Sequence, residues 1–368
     1  MIERDEWTVA AGYEEAADVL ERQCAADPDY SAQVAAHVDG ELVLDAWGGR
    51  GLGRDSLLCV FSVSKGVSAI CLAILVERGL LDLDAPVVRY WPEFGQHGKQ
   101  HVLVRELLSH RAGLVEADGG LSWAELTDDA RGAARLAAQR PFWRPGIGWS
   151  YHALALGVLM NELCRRVTGE SLQSFYEREV RASRDIDFYL GLPAELETRV
   201  APVVIPDVPP APPTPKQVID LIVSPLLLDP GLDHLANSRE SHAVGMPAAG
   251  GVASARGIAR LYASVMDDLG APRLLTDATV DDFGQIQSAG TDLFSGQPGR
   301  FGVVFQKPFA GRPFAGHRAI GHDGAAGALG FVDPANRLAF GYTTNRMAPA
   351  GGERRADEIA AALALAIR

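Results

Sequence analysis

Phe61-Ser62-Val63-Ser64-Lys65-Gly66 joins a short apolar run, residues 57–61, to the most apolar helical segment of the chain. From Ser62 to Glu77 the residues Val63, Val67, Ile70 and Ile74 recur at helical spacing, and Gly79 stands as a stop. Ser62 and Lys65 are three apart, so they share one helix face and the amine can reach the hydroxyl. A serine hydroxyl is a poor nucleophile near neutrality and needs an adjacent proton acceptor. A lysine can serve when burial and neighbouring cations depress its pKa. The amino terminus of the helix also favours negative charge developing near Ser62. With 18 serines and four lysines in the chain, one Ser-x-x-Lys is a weak signal, and a serine near a helix cap beside a solvated lysine is the plain alternative. The setting speaks against that alternative, because an idle lysine would be costly to bury in so apolar a helix. Ser64 adjoins Lys65 and cannot share its face.

Outward from this segment the chain changes character twice. Residues 12–22 carry a weak helical pattern, and 31–47 alternate in strand fashion around Val38-Asp39-Gly40-Glu41, a hairpin signal that ends at Gly48-Gly49. Helical segments are predicted at 104–109, 123–139, 153–168 and 171–181. Seven prolines between Pro202 and Pro215 exclude helix or central strand there, leaving a linker or an ordered loop bordering a site. Gly250-Gly251 precedes a helix over 255–268. Strands follow at 300–305, 327–332 and 337–343, the last two separated by the turn Asp333-Pro334-Ala335-Asn336, and a helix closes the chain over 353–367. The order is strands and helix, then helices, then strands and helix. An interrupted sheet domain with a helical insertion accounts for it.

The bulk properties narrow the function classes. The 368 residues suffice for two domains or for one with a large insertion, and 47% hydrophobic with 22% charged residues is ordinary globular composition. A net charge of −13 argues against a nucleic-acid partner. Met1-Ile2-Glu3-Arg4-Asp5-Glu6-Trp7 is polar and acidic, unlike an export signal, and no apolar stretch approaches membrane length. Cys24, Cys59, Cys71 and Cys164 show no CxxC spacing and read as reduced core thiols. A cytoplasmic chain without a membrane partner is expected, with a homo-oligomer left open.

Four motifs in sequence carry a resemblance. They are Phe61-Ser62-Val63-Ser64-Lys65-Gly66, Leu107-Leu108-Ser109-His110-Arg111-Ala112-Gly113-Leu114, Pro145-Gly146-Ile147-Gly148-Trp149-Ser150-Tyr151 and Gly321-His322-Asp323-Gly324. Over roughly residues 25–345 the chain resembles the β-lactamase-related serine hydrolases. That group includes class C β-lactamases, family VIII carboxylesterases, D-stereospecific aminopeptidases and some amide hydrolases. The resemblance implies a penicillin-recognising α/β (α+β) fold, an antiparallel sheet flanked by helices with a mostly helical domain beside it. On this reading residues 1–80 and 235–368 form the α/β domain and 81–234 the helical one, which includes the Pro-rich loop 202–215.

The same resemblance assigns Ser62, Lys65 and Tyr151 as catalytic residues, with Tyr151 shuttling protons between serine and leaving group. A phenol needs a neighbouring cation to act as a base near neutrality, and Lys65 is expected to supply it. Taken alone, Tyr151 reads more readily as a packed aromatic ahead of a helix. The backbone N–H groups of Ser62 and Ala325 are the implied oxyanion hole, where the small residues Gly324-Ala325-Ala326-Gly327 permit close backbone approach or simply make a tight turn. His322, Asp323, Gly324 and His152 are the substrate-binding candidates. His322 could instead brace Tyr151, and His152 could line the pocket or point into a helix interface. His110 and Arg111 read as structural.

Two departures bear on substrate. The family's Tyr-x-Asn reads Tyr151-His152-Ala153, and the Lys-Thr-Gly of β-lactamases reads His322-Asp323-Gly324. An amide hydrogen-bonding group and a carboxylate-binding cation are both missing. A small-molecule ester needs neither, so a carboxylesterase working through an acyl-enzyme on Ser62 is expected. Amide or β-lactam hydrolysis, acyl transfer and a non-catalytic binding role of the same fold are the rivals. There is no Gly-x-Ser-x-Gly, no His-Glu-x-x-His, no zinc-spaced Cys/His cluster and no phosphate or dinucleotide loop, so neither a metal nor a cofactor is expected.

Overall fold

The computed structural model describes residues 4–205, 230–347 and 354–367. Its centre is a six-stranded antiparallel sheet in the order β1-β3-β2-β11-β10-β9. The strands are β1 Thr8–Val9, β2 Ala32–Val38, β3 Glu41–Gly48, β9 Ile320–Asp323, β10 Leu329–Asp333 and β11 Leu338–Thr344. The remaining strands are β4 Leu58–Phe61, β5 Phe188–Tyr189 and β6 Gly251–Ala253, which make a small sheet, and β7 Ser288–Thr291 with β8 Pro298–Phe301, which make a hairpin.

Local chemistry sets the hairpins. Val38 faces Glu41 across Asp39 and Gly40, whose φ angles of 51° and 79° are the paired positive values of a type I′ turn. Asp333 opens the β10–β11 turn by accepting from the Ala335 N–H at 3.1 Å and the Asn336 side chain at 2.8 Å. β11 runs against β2 from Leu338 opposite Val38 to Thr344 opposite Ala32. Strands from both ends of the chain therefore share one sheet.

Helices cover both faces. Helix α1, Glu14–Ala26, and the helix Arg355–Ala366 pack on one side around Val34, Leu44, Phe331, Phe340 and Ile359. The helix Ala255–Ala263 lies on the other side, so close that a Cβ on Gly341 would come within 2.2 Å of the Ala255 carbonyl oxygen. Helix α2, Val63–Glu77, is buried from Val63 through Leu75 and forms the centre of the larger core. A helix apolar on every side belongs inside.

The helical middle differs from expectation in one place. The segment predicted as one helix over 123–139 is two, Trp123–Thr127 and Asp129–Ala138. Asp128 separates them by accepting from the N–H groups of Ala130 and Arg131 as the cap of the second. The strand expected over 300–305 stops at Phe301. From Pro206 through Pro215 the Pro-rich stretch lies outside the described residues. All four cysteines are buried and unpaired. Among the described residues no helix is long and apolar enough to cross a membrane, and no group of three or more His, Cys, Asp or Glu is placed to hold a metal ion.

Candidate active site

β4 ends at Phe61 and α2 begins at Val63, so the chain turns sharply at the single residue between them, Ser62. Phe61 takes a φ of +46°, a costly conformation for an aromatic residue. Ser64 holds the turn: its hydroxyl donates to the Phe61 carbonyl at 2.5 Å and accepts from the Gly251 N–H at 2.8 Å. The second serine of the motif is thus a brace, while Ser62 remains partly open to solvent.

Lys65 Nζ stands 3.1 Å from Ser62 Oγ. The lysine is fully buried, and its ammonium donates to the carbonyls of Ala153 at 2.6 Å and Ala248 at 2.9 Å. Two of its positions are therefore committed to groups that can only accept. When the amine is neutral, its lone pair is left facing Ser62 Oγ. Burial pulls the pKa down to about 7, against an opposing pull from the Asp323 carboxylate. Ala153, standing where the family motif carries Asn, holds the lysine through its backbone.

The Tyr151 hydroxyl donates to Ser62 Oγ at 2.9 Å. Its ring stacks on Phe301 at 5.8 Å and is flanked by His110 at 5.0 Å and His322 at 5.9 Å between centroids. Lys65 Nζ lies over the ring face, 4.9 Å from the centroid. Burial pushes the phenol pKa above its ordinary value, outweighing the hydrogen bond to Ser62, and Asp323 adds to the rise. The net shift of the phenol is upward, which favours its protonated form beside an amine whose pKa is drawn toward neutrality.

Burial disfavours the charged form of all three histidines of the site motifs, His110, His152 and His322. His152 is fully buried, with Nδ1 donating to the Ser150 carbonyl at 2.6 Å and Nε2 accepting from the Leu114 N–H at 3.2 Å. Burial lowers its pKa to about 4. Its side chain points into the interior, where it fastens two loops. His110 Nδ1 accepts from the His152 N–H at 3.0 Å, and burial lowers this ring's pKa well below the usual range. His322 is 1% exposed and donates through Nδ1 to the Asp323 carbonyl at 2.7 Å, while among the described residues its Nε2 has no partner. Burial draws its pKa down to about 4.

β9 brings the last motif to the same place. A Cβ on Gly324 would come 2.3 Å from the Val60 carbonyl oxygen, so only glycine lets the end of β9 press against β4 beside the turn at Ser62. Asp323 pairs with Arg312 at 2.8 Å and remains partly exposed. Ala325 is exposed at the apex of the turn that follows. The sequence reading missed Asp292, which is buried and accepts from the Ser150 hydroxyl and the Tyr151 N–H, both at 2.7 Å.

Comparison with known proteins identifies the frame that carries these residues. The β-lactamase family model matches residues 21–365. Esterase/beta-lactamase LipL of Mycobacterium tuberculosis is 31% identical over 349 residues, covering 85% of this chain and 76% of that protein. The structure of EstA from Arthrobacter nitroguajacolicus Rue61a superposes with a TM-score of 0.92 at 42% identity over 98% of both chains. A family VIII carboxylesterase superposes with a TM-score of 0.87 at 31% identity, over 97% of this chain and 99% of that one. A serine, a buried lysine and a tyrosine meeting on one hydroxyl, inside a sheet-and-helix frame matched from residue 21 to 365, place this chain in the β-lactamase family.

Proposed function

We propose that the protein is a serine carboxylesterase that cleaves small-molecule esters through an acyl-enzyme on Ser62. One observation carries the reading: Ser62 Oγ lies within hydrogen-bond reach of both a lysine titrating near neutrality and a protonated phenol. Relatives named as esterases support the choice of substrate.

In the first stage Ser62 Oγ attacks the ester carbonyl carbon and its proton passes to neutral Lys65. The carbonyl oxygen takes the negative charge and rests on the N–H groups of Ser62 and Ala325. In the turn after β9, Gly324 and Gly327 donate internally, to the carbonyls of Ala328 and Gly324. Among the described residues Ala325 donates to no backbone carbonyl. The C–O bond to the alcohol then breaks, Tyr151 protonates the leaving oxygen, and Lys65 restores the phenol proton. In the second stage water attacks the acyl carbon, gives a proton to Lys65, and Ser62 recovers its hydroxyl hydrogen as the acid leaves.

The third motif supports a substrate without a carboxylate. His322 is neutral at working pH and Asp323 carries negative charge, where a β-lactamase would offer a lysine. The reading retains the division into an α/β domain, 1–80 and 235–368, and a helical domain, 81–234. Ser62 and Lys65 come from one and Tyr151 from the other.

Hydrolysis of p-nitrophenyl acetate and butyrate by wild type and Ser62→Ala tests the proposal. Wild-type turnover retained in the variant would end it. Nitrocefin and a D-alanine anilide, run beside the esters, distinguish amide chemistry, and product analysis with an added alcohol reveals acyl transfer.

A further inference from the structure

Tyr151 belongs to no helix or strand. It sits in an irregular stretch between the Pro145-Gly146 turn and the helix Ala155–Thr168. No regular backbone ladder fixes its phenol, yet that phenol must meet Ser62 Oγ within a hydrogen bond. The fixing is done by three consecutive amides. Ser150 N–H donates to the His110 carbonyl at 3.1 Å, Tyr151 N–H to Asp292 Oδ2 at 2.7 Å, and His152 N–H to His110 Nδ1 at 3.0 Å. The middle anchor comes from a turn far away in sequence and is a carboxyl group only 4% exposed.

Asp292 stands in the turn between β7 and β8. Its Oδ1 accepts from the Ser150 hydroxyl at 2.7 Å and from the N–H groups of Phe294 and Ser295 at 2.9 Å each. Two further bonds tie this hairpin to the Tyr151 stretch: Leu293 N–H to the Trp149 carbonyl, and the Trp149 indole N–H to the Ala289 carbonyl, both at 3.1 Å. A buried carboxylate is tolerated only when its lone pairs are filled, and here four donors fill them.

We propose that Asp292 is a positioning residue for Tyr151: its carboxylate sets the backbone from which the phenol reaches the leaving-group oxygen. This rests on the reading of Tyr151 as the group that protonates the departing alcohol. Asp292→Asn keeps the shape but turns one acceptor oxygen into an NH₂. Placed at the Oδ1 position, that NH₂ would oppose two amide donors; at the Oδ2 position it opposes one, Tyr151 N–H. The lost acceptor therefore falls on Tyr151, whose backbone shifts and carries the phenol with it.

The leaving group gives a readout that a merely structural role would not move. p-Nitrophenolate departs without a proton, whereas ethanol requires one. The two butyrate esters share an acyl group, and kcat/KM reports only the steps through alcohol release. Asp292→Asn is expected to lower kcat/KM for ethyl butyrate by about 100-fold and for p-nitrophenyl butyrate by less than about 5-fold. Rates are normalised to sites titrated with a fluorophosphonate. If this variant does not fold, Asp292→Glu, which keeps an acceptor but lengthens the side chain, reads the same ratio. Equal losses on both esters, or no folded protein from either variant, would assign Asp292 to folding alone and overturn the proposal. Failure of the esterase reading looks different: wild type then hydrolyses neither ester, or Ser62→Ala retains hydrolysis.

Discussion

A Cβ built on Gly66 would lie 2.0 Å from the hydroxyl oxygen of Tyr262. The residue after Lys65 is thus pressed against a fully buried phenol whose oxygen has no hydrogen-bond partner among the described residues. Gly66→Ala is expected to cost about 2 kcal/mol through overpacking, despite the better helix propensity of alanine. Tyr262→Phe removes an unsatisfied hydroxyl and is expected to stabilise by about 1 kcal/mol. Denaturant unfolding of the two single variants and the double variant checks the contact. The cost of Gly66→Ala should shrink when Tyr262 is also changed, and simple additivity would show that the two sites do not meet.

On the proposed mechanism Lys65, whose ammonium is disfavoured by burial and whose pKa is drawn down to about 7, sets the dependence of activity on pH by acting as the neutral amine. For an ester substrate kcat/KM should therefore rise through about pH 7 as one proton is lost, then level off. The Tyr151 phenol must stay protonated and is shifted upward, so it imposes no fall until well into the alkaline range. His322, drawn down to about 4, is already neutral, and His322→Gln should leave the rising limb in place. A limb that moves with His322 would reassign the titrating base.

Asp323 works against the burial of Lys65 by favouring its charged form. Asp323→Asn removes that pull, so the Lys65 pKa falls and the rising limb moves to lower pH. The same substitution removes a negative charge from the site. Turnover of an ester bearing a free carboxylate should improve several-fold relative to its neutral counterpart. Both effects are read from kcat/KM profiles of the paired substrates, and an unmoved limb would place Asp323 outside the field felt by the lysine.

Gly324→Ala would force the end of β9 away from the Val60 carbonyl and carry Ala325 with it. Loss of one oxyanion donor typically costs about 100-fold or more in rate. Ester hydrolysis should fall by about that factor while the protein still melts cooperatively, as followed by circular dichroism. Retained activity would remove Ala325 from the oxyanion site.

Much of the site was legible where interactions are local. Ser62 and Lys65 lie within one helical turn, so spacing alone predicts their contact. The Asp39-Gly40 turn likewise announces itself through residue types that tolerate positive φ. Tyr151 is different, because its approach to Ser62 depends on the whole fold and only the order of the motifs pointed to it. Asp292 was invisible for a related reason: one aspartate in Thr291-Asp292-Leu293 reads as turn chemistry, and nothing local reveals which distant amide it receives. His152 could not be oriented from sequence, since its two partners, Ser150 and Leu114, belong to segments joined only by tertiary packing. The break at Asp128 was missed because an apolar pattern continues on both sides of the capping residue.

The pairing of β2 with β11 has a consequence for how the molecule is made. β2 leaves the ribosome early, but its neighbour arrives only after nearly the whole described chain has been translated. Until then one edge of β2 stands open, and contacts so distant in sequence form slowly. Chaperone demand and the hazard of aggregation should therefore be concentrated in the nascent chain before β11 is synthesised.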